Sequence, residues 1–221
     1  MLIEEAGRHL LIDTPPELRL QLVAAEVEAV DAVFLSHEHA DHTHGLDDLR
    51  IFTLRTGRPL PLFMASEFEQ EIKSRFSYIW GGAKQQPDSA VPELTLTTFE
   101  DREPISPAGF ELTPIRFPHG VYRSYGFRVD NLGVIIDGKS VPDDAVELLS
   151  DLDVLVINAL WFGDPHPGHF SIEQAVETSR RLRAGRTYLT HIAHRNSHAE
   201  IESRLPDGVF AAFDGLEVDV E

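Results

Sequence analysis

The sequence predicts a mixed α/β domain built in layers, and three observations carry that prediction. Short apolar, β-favouring runs recur between stretches with helical periodicity. Several of those runs end at a histidine or an aspartate: His37 to His42, His119, Asp137 and His191. The chain has 221 residues, 42% hydrophobic and 25% charged, which suits one sizeable core, so residues 1–221 read as a single domain.

Taken in order, residues 1–5 and 8–13 read as a hairpin turning at Ala6-Gly7, with Leu10, Leu11 and Ile12 buried. Pro15 and Pro16 open a helix capped by Thr14, with Leu18, Leu22, Val23 and Val27 on one face. Residues 32–35, Ala-Val-Phe-Leu, form a buried strand, and 46–54 a helix after a turn at Gly45. Residues 61–64 are a strand, and Ser66 caps a helix running to Phe76. Residues 77–93, with Gly81-Gly82 and two prolines, lack periodicity and predict a surface loop or lid. Tyr78 and Trp80 there would cover a substrate or simply pack within the loop. Strands follow at 94–99, 110–117, 125–129 and 134–136, then a helix over 143–149 and an apolar strand over 154–157. Ser171 and Gln174 form a capping box for a helix to about Arg183. A strand over 187–190 leads into His191, and a helix spans 199–205. The chain then closes with strands 209–213 and 216–220 joined at Asp214-Gly215.

The chemistry concentrates in Ser36-His37-Glu38-His39-Ala40-Asp41-His42, directly after the 32–35 strand. Imidazole and carboxylate suit zinc, manganese or iron, and no thiolate competes. One tight loop cannot wrap four ligands round a single ion, so the spacing favours two adjacent ions. His37 and His39 then face one, and Asp41 and His42 the other. His44 could reach a metal, but reads first as a surface residue or a support for the ligands. A solvated histidine-rich loop is the bland alternative. A buried strand leading in and matching residues at later strand exits argue against it.

Composition narrows the class further. Without cysteine, disulfides and thiolate zinc sites are excluded, which fits a reducing compartment. No apolar run reaches membrane-spanning length and the start lacks a signal peptide's order, so a cytoplasmic protein is expected. A net charge of −18 is the opposite of what an unassisted nucleic-acid binder carries.

With these residues in view, the sequence resembles the metallo-β-lactamase superfamily, most closely its branch of phosphoribosyl cyclic phosphodiesterases. The likeness rests on Leu11-Ile12-Asp13-Thr14, the His-x-His-x-Asp-His loop, Gly45 to Arg50, His166 to Ser171, Leu189 to Ile192 with His194, and Phe213 to Glu217. The resemblance implies a four-layer αββα sandwich, with a two-metal site along one edge of the β-layers. It implies that His37, His39 and His119 hold one ion, that Asp41, His42 and His191 hold the other, and that Asp137 bridges them. His169 matches a substrate-phosphate histidine of that branch, with His166 close by in sequence, and His194 would line the same pocket. The catalytic residues expected are therefore His169, Asp41 and His194. Two departures stand out: no glycine-rich first strand, so a shortened N-terminal strand, and no cysteine-bound structural zinc.

The activity expected is hydrolysis of a small phosphodiester, cyclic ones included, by a hydroxide shared between two divalent ions, manganese or zinc with iron as an option. A protonated His169 would stabilise charge on phosphorus oxygens and protonate the leaving alkoxide. The alternatives are a nuclease similar to the tRNA 3′-processing branch, and a metal-bearing binding or biosynthetic protein similar to the pyrroloquinoline quinone relative. The expected partner is the small substrate, without membrane or nucleic acid, and with a homodimer left open.

Overall fold

A computed structural model describes residues 1–81 and 91–221. The chain folds as two compact units, Met1–Glu111 and Leu112–Glu221.

The first unit holds a sheet of β1 (Leu2–Glu5), β2 (Arg8–Ile12), β3 (Ala32–Leu35), β4 (Leu60–Ala65) and β5 (Leu94–Phe99), in that spatial order. β1 and β2 are the expected antiparallel hairpin, and Ala6 and Gly7 both take positive φ in its two-residue turn. From β2 to β5 every pairing is parallel. Parallel strands are covered on both faces, and β3 is accordingly buried at all four residues, with Phe34 stacked on Phe99 at 5.3 Å. Because β2 and β3 run the same way, Asp13 and Ser36 leave the sheet at the same edge.

The helices of this unit are α1 (Leu18–Ala24), α2 (Ala40–Thr43), α3 (Arg50–Thr56), α4 (Glu69–Arg75) and α5 (Ser77–Trp80). α1 starts later than the prolines predict. Thr14 does not cap it; its backbone N–H and hydroxyl both go to the carbonyl of His42, at 2.8 and 3.3 Å. Leu18 and Leu22 face the core as expected, but Val23 is 72% exposed. The helix expected over 46–54 divides into a 3-10 turn, Leu46–Leu49, and α3. Gly45 is required by a close approach, since a β-carbon there would lie 2.2 Å from the Pro15 carbonyl oxygen. Ser66 bonds to Glu100 and leaves α4 without a side-chain cap. Of the loop predicted over 77–93, residues 77–80 form α5, and the lid expectation for 82–90 lies outside the described residues.

The second unit holds β6 (Leu112–His119), β7 (Tyr122–Val129), β8 (Leu132–Ile135), β9 (Val154–Asn158), β10 (Arg186–Thr190) and β11 (Val209–Ala211), in spatial order 11-10-9-8-7-6. β7 pairs antiparallel with both neighbours, and β8 to β11 pair in parallel. β6, β8, β9 and β10 therefore all point the same way, and their C-terminal ends share one edge of the sheet. At the opposite edge Arg183 pairs with Asp151 at 2.6 Å and Arg186 with Asp153 at 2.8 Å. The core packs Ile115, Phe117, Ile135, Leu155, Ile157 and Leu189 against the buried side chains of α6 (Ile172–Leu182).

The capping box at Ser171 and Gln174 is present in both directions. α7 (His198–Glu202) is shorter than expected, and the helix predicted over 143–149 is two 3-10 turns. The closing hairpin does not form. Asp214-Gly215 makes only a local turn, closed by Leu216 N–H on the Phe213 carbonyl at 3.1 Å, and 216–220 carry no strand. Among the described residues no helix is long and apolar enough to cross a membrane.

Candidate metal centre

In the first unit, the chain leaving β3 delivers the histidine loop from a rigid base. Ser36 and His37 are fully buried, His39 is the N-cap of α2, and Asp41 and His42 lie within α2. Asp13, at the exit of β2, organises this loop with one carboxylate. Its Oδ1 accepts the Ser36 backbone N–H at 2.7 Å. Its Oδ2 accepts both the Ser36 hydroxyl and His42 Nδ1, each at 2.7 Å. The Ser36 hydroxyl oxygen is in turn 3.0 Å from His37 Nδ1. Anchoring Nδ1 in this way fixes tautomer and ring orientation, and makes Nε2 the candidate ligand atom of both histidines. Burial alone would push the Asp13 carboxyl up, but the charge and hydrogen bond of His42, His37 and the Ser36 N–H together hold it below its ordinary value.

The second unit gathers its residues from separate strand ends. His119 ends β6, Asp137 follows β8, and His191 follows β10. The buried Asp137 carboxylate divides its oxygens between them: Oδ2 is 4.0 Å from His119 Nε2, and Oδ1 is 3.3 Å from His191 Nε2. His119 Nδ1 donates to the Gly168 carbonyl at 2.8 Å, so here too Nε2 is the candidate ligand atom. Asn158, at the end of β9, clamps the loop after Asp137. It accepts from Gly138 N–H at 2.7 Å and donates to the Gly138 carbonyl at 3.1 Å.

His169 sits among these groups, its ring stacked on His191 at 4.9 Å and 4.6 Å from the His119 ring. Burial pushes its pKa down to about 4; Asp137 opposes this, and His191, His119 and His166 reinforce it. At that value the ring is neutral near pH 7 and donates a hydrogen bond through one ring N–H. His194 lies exposed in the turn after β10, without a hydrogen bond, ion pair or ring contact among the described residues. His44 is exposed, edge-on to Phe76 at 6.2 Å.

Within each unit the candidate ligand atoms lie close together. In the first, the ligand atoms of His37 and His39 lie within 4.8 Å of each other, as do those of Asp41 and His42. In the second, Asp137 lies within that distance of both His119 and His191. The donors are imidazole nitrogens and carboxylate oxygens with supported Nδ1 atoms, a set that fits zinc, manganese or iron. The sequence singles out all seven ligand candidates but misses Ser36, Asn158 and the Gly168 carbonyl as supports. Asp13 is noticed only as part of a motif; its place right after a buried strand was the available signal.

The chain belongs to the beta-lactamase superfamily: residues 8–192 match its domain, described as the beta-lactamase superfamily domain. The mixed α/β arrangement with two sheets is the metallo-β-lactamase fold. A crystal structure of a diphosphatase from the PhnP family superposes with a TM-score of 0.89 at 32% identity, covering 100% of this chain and 83% of that one. The probable metallo-hydrolase YhfI of Bacillus subtilis is 24% identical over 89% of this chain and 80% of its own length. An octanoyltransferase of Porphyromonas gingivalis is 31% identical over 100% of this chain, which spans only 44% of that protein.

Proposed function

We propose that the chain is a metal-dependent hydrolase of small phosphodiesters, cyclic ones included. In this reading His37, His39, His119 and Asp137 hold one divalent ion, and Asp41, His42, His191 and Asp137 hold a second. The observation that carries it is Asp137, whose two carboxylate oxygens face different histidines, as a bridging ligand requires. When bound, two such ions supply Lewis acidity toward phosphoryl oxygens and bring the pKa of water toward neutrality.

The chain's own residues do the rest. Asp13 and Ser36 hold His37 and His42 in their ligating tautomers, and Asn158 fixes the turn that aims Asp137. His169 donates its ring N–H to a phosphate oxygen. An anionic diester beside the ring favours the imidazolium and raises its pKa, which prepares His169 to protonate the leaving alkoxide. His194, exposed beyond this group, is assigned the outer rim of the substrate site.

The similarity to the PhnP-family diphosphatase supports phosphoester substrates. The octanoyltransferase name describes a protein more than half of which lies outside the match, and the phosphodiesterase reading assigns acyl transfer to that remainder. A thiolate route for acyl transfer is closed to this chain, which has no cysteine. A nuclease reading is favoured by a ribonuclease Z from Anoxybacillus flavithermus, 24% identical over 88% of this chain, and opposed by the net charge of −18.

The test is turnover of bis-p-nitrophenyl phosphate and a small cyclic phosphodiester by metal-loaded protein, beside its Asp137→Ala variant. Hydrolysis that disappears with Asp137 and with chelation supports the reading. Tight, salt-sensitive tRNA binding with no turnover of small diesters transfers support to the nuclease.

A further inference from the structure

The position after Asp137 has no room for a side chain. A β-carbon on Gly138 would lie 2.9 Å from Ile135 Cγ2, 3.4 Å from a Phe170 ring carbon and 3.5 Å from Phe117 Cβ. Packing at the exit of β8 thereby puts an Asp-Gly pair at the candidate metal centre. Such a pair can close on itself, because glycine leaves its own nitrogen unshielded from the aspartate side chain. The nitrogen bonds to the side-chain carbonyl carbon, the bond from that carbon to its hydroxyl breaks, and the hydroxyl leaves as water with the nitrogen's proton. The product is a five-membered succinimide, which a second water opens. Attack at the side-chain carbonyl restores aspartate. Attack at the main-chain carbonyl gives isoaspartate, whose backbone runs through the former side chain.

Closure needs the Asp137–Gly138 peptide plane to rotate until the nitrogen faces the carboxyl carbon. The structure pins that plane and the next one. Gly138 N–H donates to Asn158 Oδ1 at 2.7 Å, and Asn158 Nδ2 donates to the Gly138 carbonyl at 3.1 Å. Lys139 N–H adds a bond to the Pro118 carbonyl at 2.9 Å. Asn158 is itself fully buried as the last residue of β9. The chain carries its own comparison in two further pairs, Asp207-Gly208 and Asp214-Gly215. Both aspartates are exposed, and among the described residues neither glycine N–H makes a hydrogen bond.

We propose that Asp137-Gly138 is a latent isoaspartate-forming site, and that Asn158 is the residue that keeps it closed to that reaction. The inference goes beyond the hydrolase reading and does not depend on it. Isoaspartate at 137 inserts a methylene into the main chain and shortens the arm of the carboxylate, which then no longer faces both His119 and His191 as the intact side chain does.

The experiment ages the metal-free full chain at neutral pH in heavy-oxygen water, which labels every residue that has passed through the ring. Label and isoaspartate are read at each of the three pairs by peptide fragmentation. In the folded chain the pairs at 207 and 214 should take up label while 137 lags about 10-fold or more behind. In urea the lag should vanish, since the local chemistry of the three pairs is alike. Asn158→Ala removes both bonds to Gly138 and should speed labelling at 137 about 10-fold, and its aged chains should bind less zinc on reconstitution than fresh ones. Asn158→Ser, whose oxygen is one bond closer to its own backbone, is run beside it, and circular dichroism checks that each variant is folded. Leu155→Ala, a core deletion in the same strand, controls for lost stability and should leave 137 lagging. Label appearing at 137 as fast as at the exposed pairs in the folded chain overturns the proposal. So does a folded Asn158 variant in which 137 still lags, or a Leu155→Ala chain that ages at 137 as fast as Asn158→Ala does. Ageing at 137 that leaves zinc content untouched keeps the modification site and counts instead against Asp137 as a metal ligand.

Discussion

Asp13, Asp137 and His191 share an unusual backbone: φ of 59°, 48° and 56° in residues that are not glycine. This left-handed conformation is sparsely populated for side chains, though aspartate and histidine tolerate it better than most. At a strand exit it turns the side chain back across the sheet edge, which is how one carboxylate reaches two histidines. Asp137→Ala should therefore lose metal and activity together, read by elemental analysis and turnover. Asp13→Ala should keep His42 in place only loosely and weaken metal affinity about 10–100-fold, measured against a competing chelator. Asp13 also predicts a pH dependence. Its folded pKa lies below the ordinary 3.8, so its stabilisation is complete above that value and is lost as pH falls through the folded pKa. Metal-free Asp13→Asn should show a flatter fall of urea midpoint below pH 3.8 than the unsubstituted chain. His169→Ala should keep its metal while turnover of an alkyl diester falls about 10²–10⁴-fold, with a smaller loss for a p-nitrophenyl ester that needs no proton. Retained turnover would remove His169 from the chemistry. At this scale the ligand candidates were legible because four of them sit in seven consecutive residues. Gly168 and Asn158 were not, because they act across 49 and 20 residues of sequence through bonds that no local pattern announces.

Elements were legible where a signal had one structural meaning. The apolar run of β3 and the capping box of α6 each match what the residues alone imply. Asp214-Gly215 misled because that dipeptide makes a turn whether or not a second strand follows, and among the described residues no sheet edge accepts 216–220. Pro15-Pro16 misled because the Thr14 hydroxyl was already committed to His42. The capping box has a further reach: Gln174 Oε1 accepts from the Ser171 N–H at 3.0 Å and from Lys139 Nζ at 2.8 Å, and Lys139 also donates to the His169 carbonyl. Ser171→Ala should cost about 1 kcal/mol of stability in urea unfolding. Gln174→Ala should cost a similar amount and also lower kcat, because it loosens the backbone that carries His169; an unchanged kcat would show that the cap is structural alone.

For the whole molecule the expectation is stoichiometric. The purified chain should carry close to two transition-metal ions, and a content of one after reconstitution with zinc or manganese would count against the bridging role of Asp137. Ions that bind only the folded chain stabilise it by about 2.7 kcal/mol each at 100 times their dissociation constant, so chelation should lower the melting temperature. At physiological salt, affinity for tRNA should be low, as the charge of −18 disfavours the phosphate backbone.

The second sheet places every one of its ligand candidates at a single margin, because β6, β8 and β10 end there, and fastens the other margin with arginine–aspartate pairs. That asymmetry divides the unit into a working rim and a handle. At the handle, the Asp130-Asn131 turn between β7 and β8 is exposed and already left-handed at Asp130. A short peptide tag spliced there leaves every ligand strand with its register and its exit intact. The tagged chain should bind metal as the parent does, whereas the same tag after Gly120, next to His119, should not.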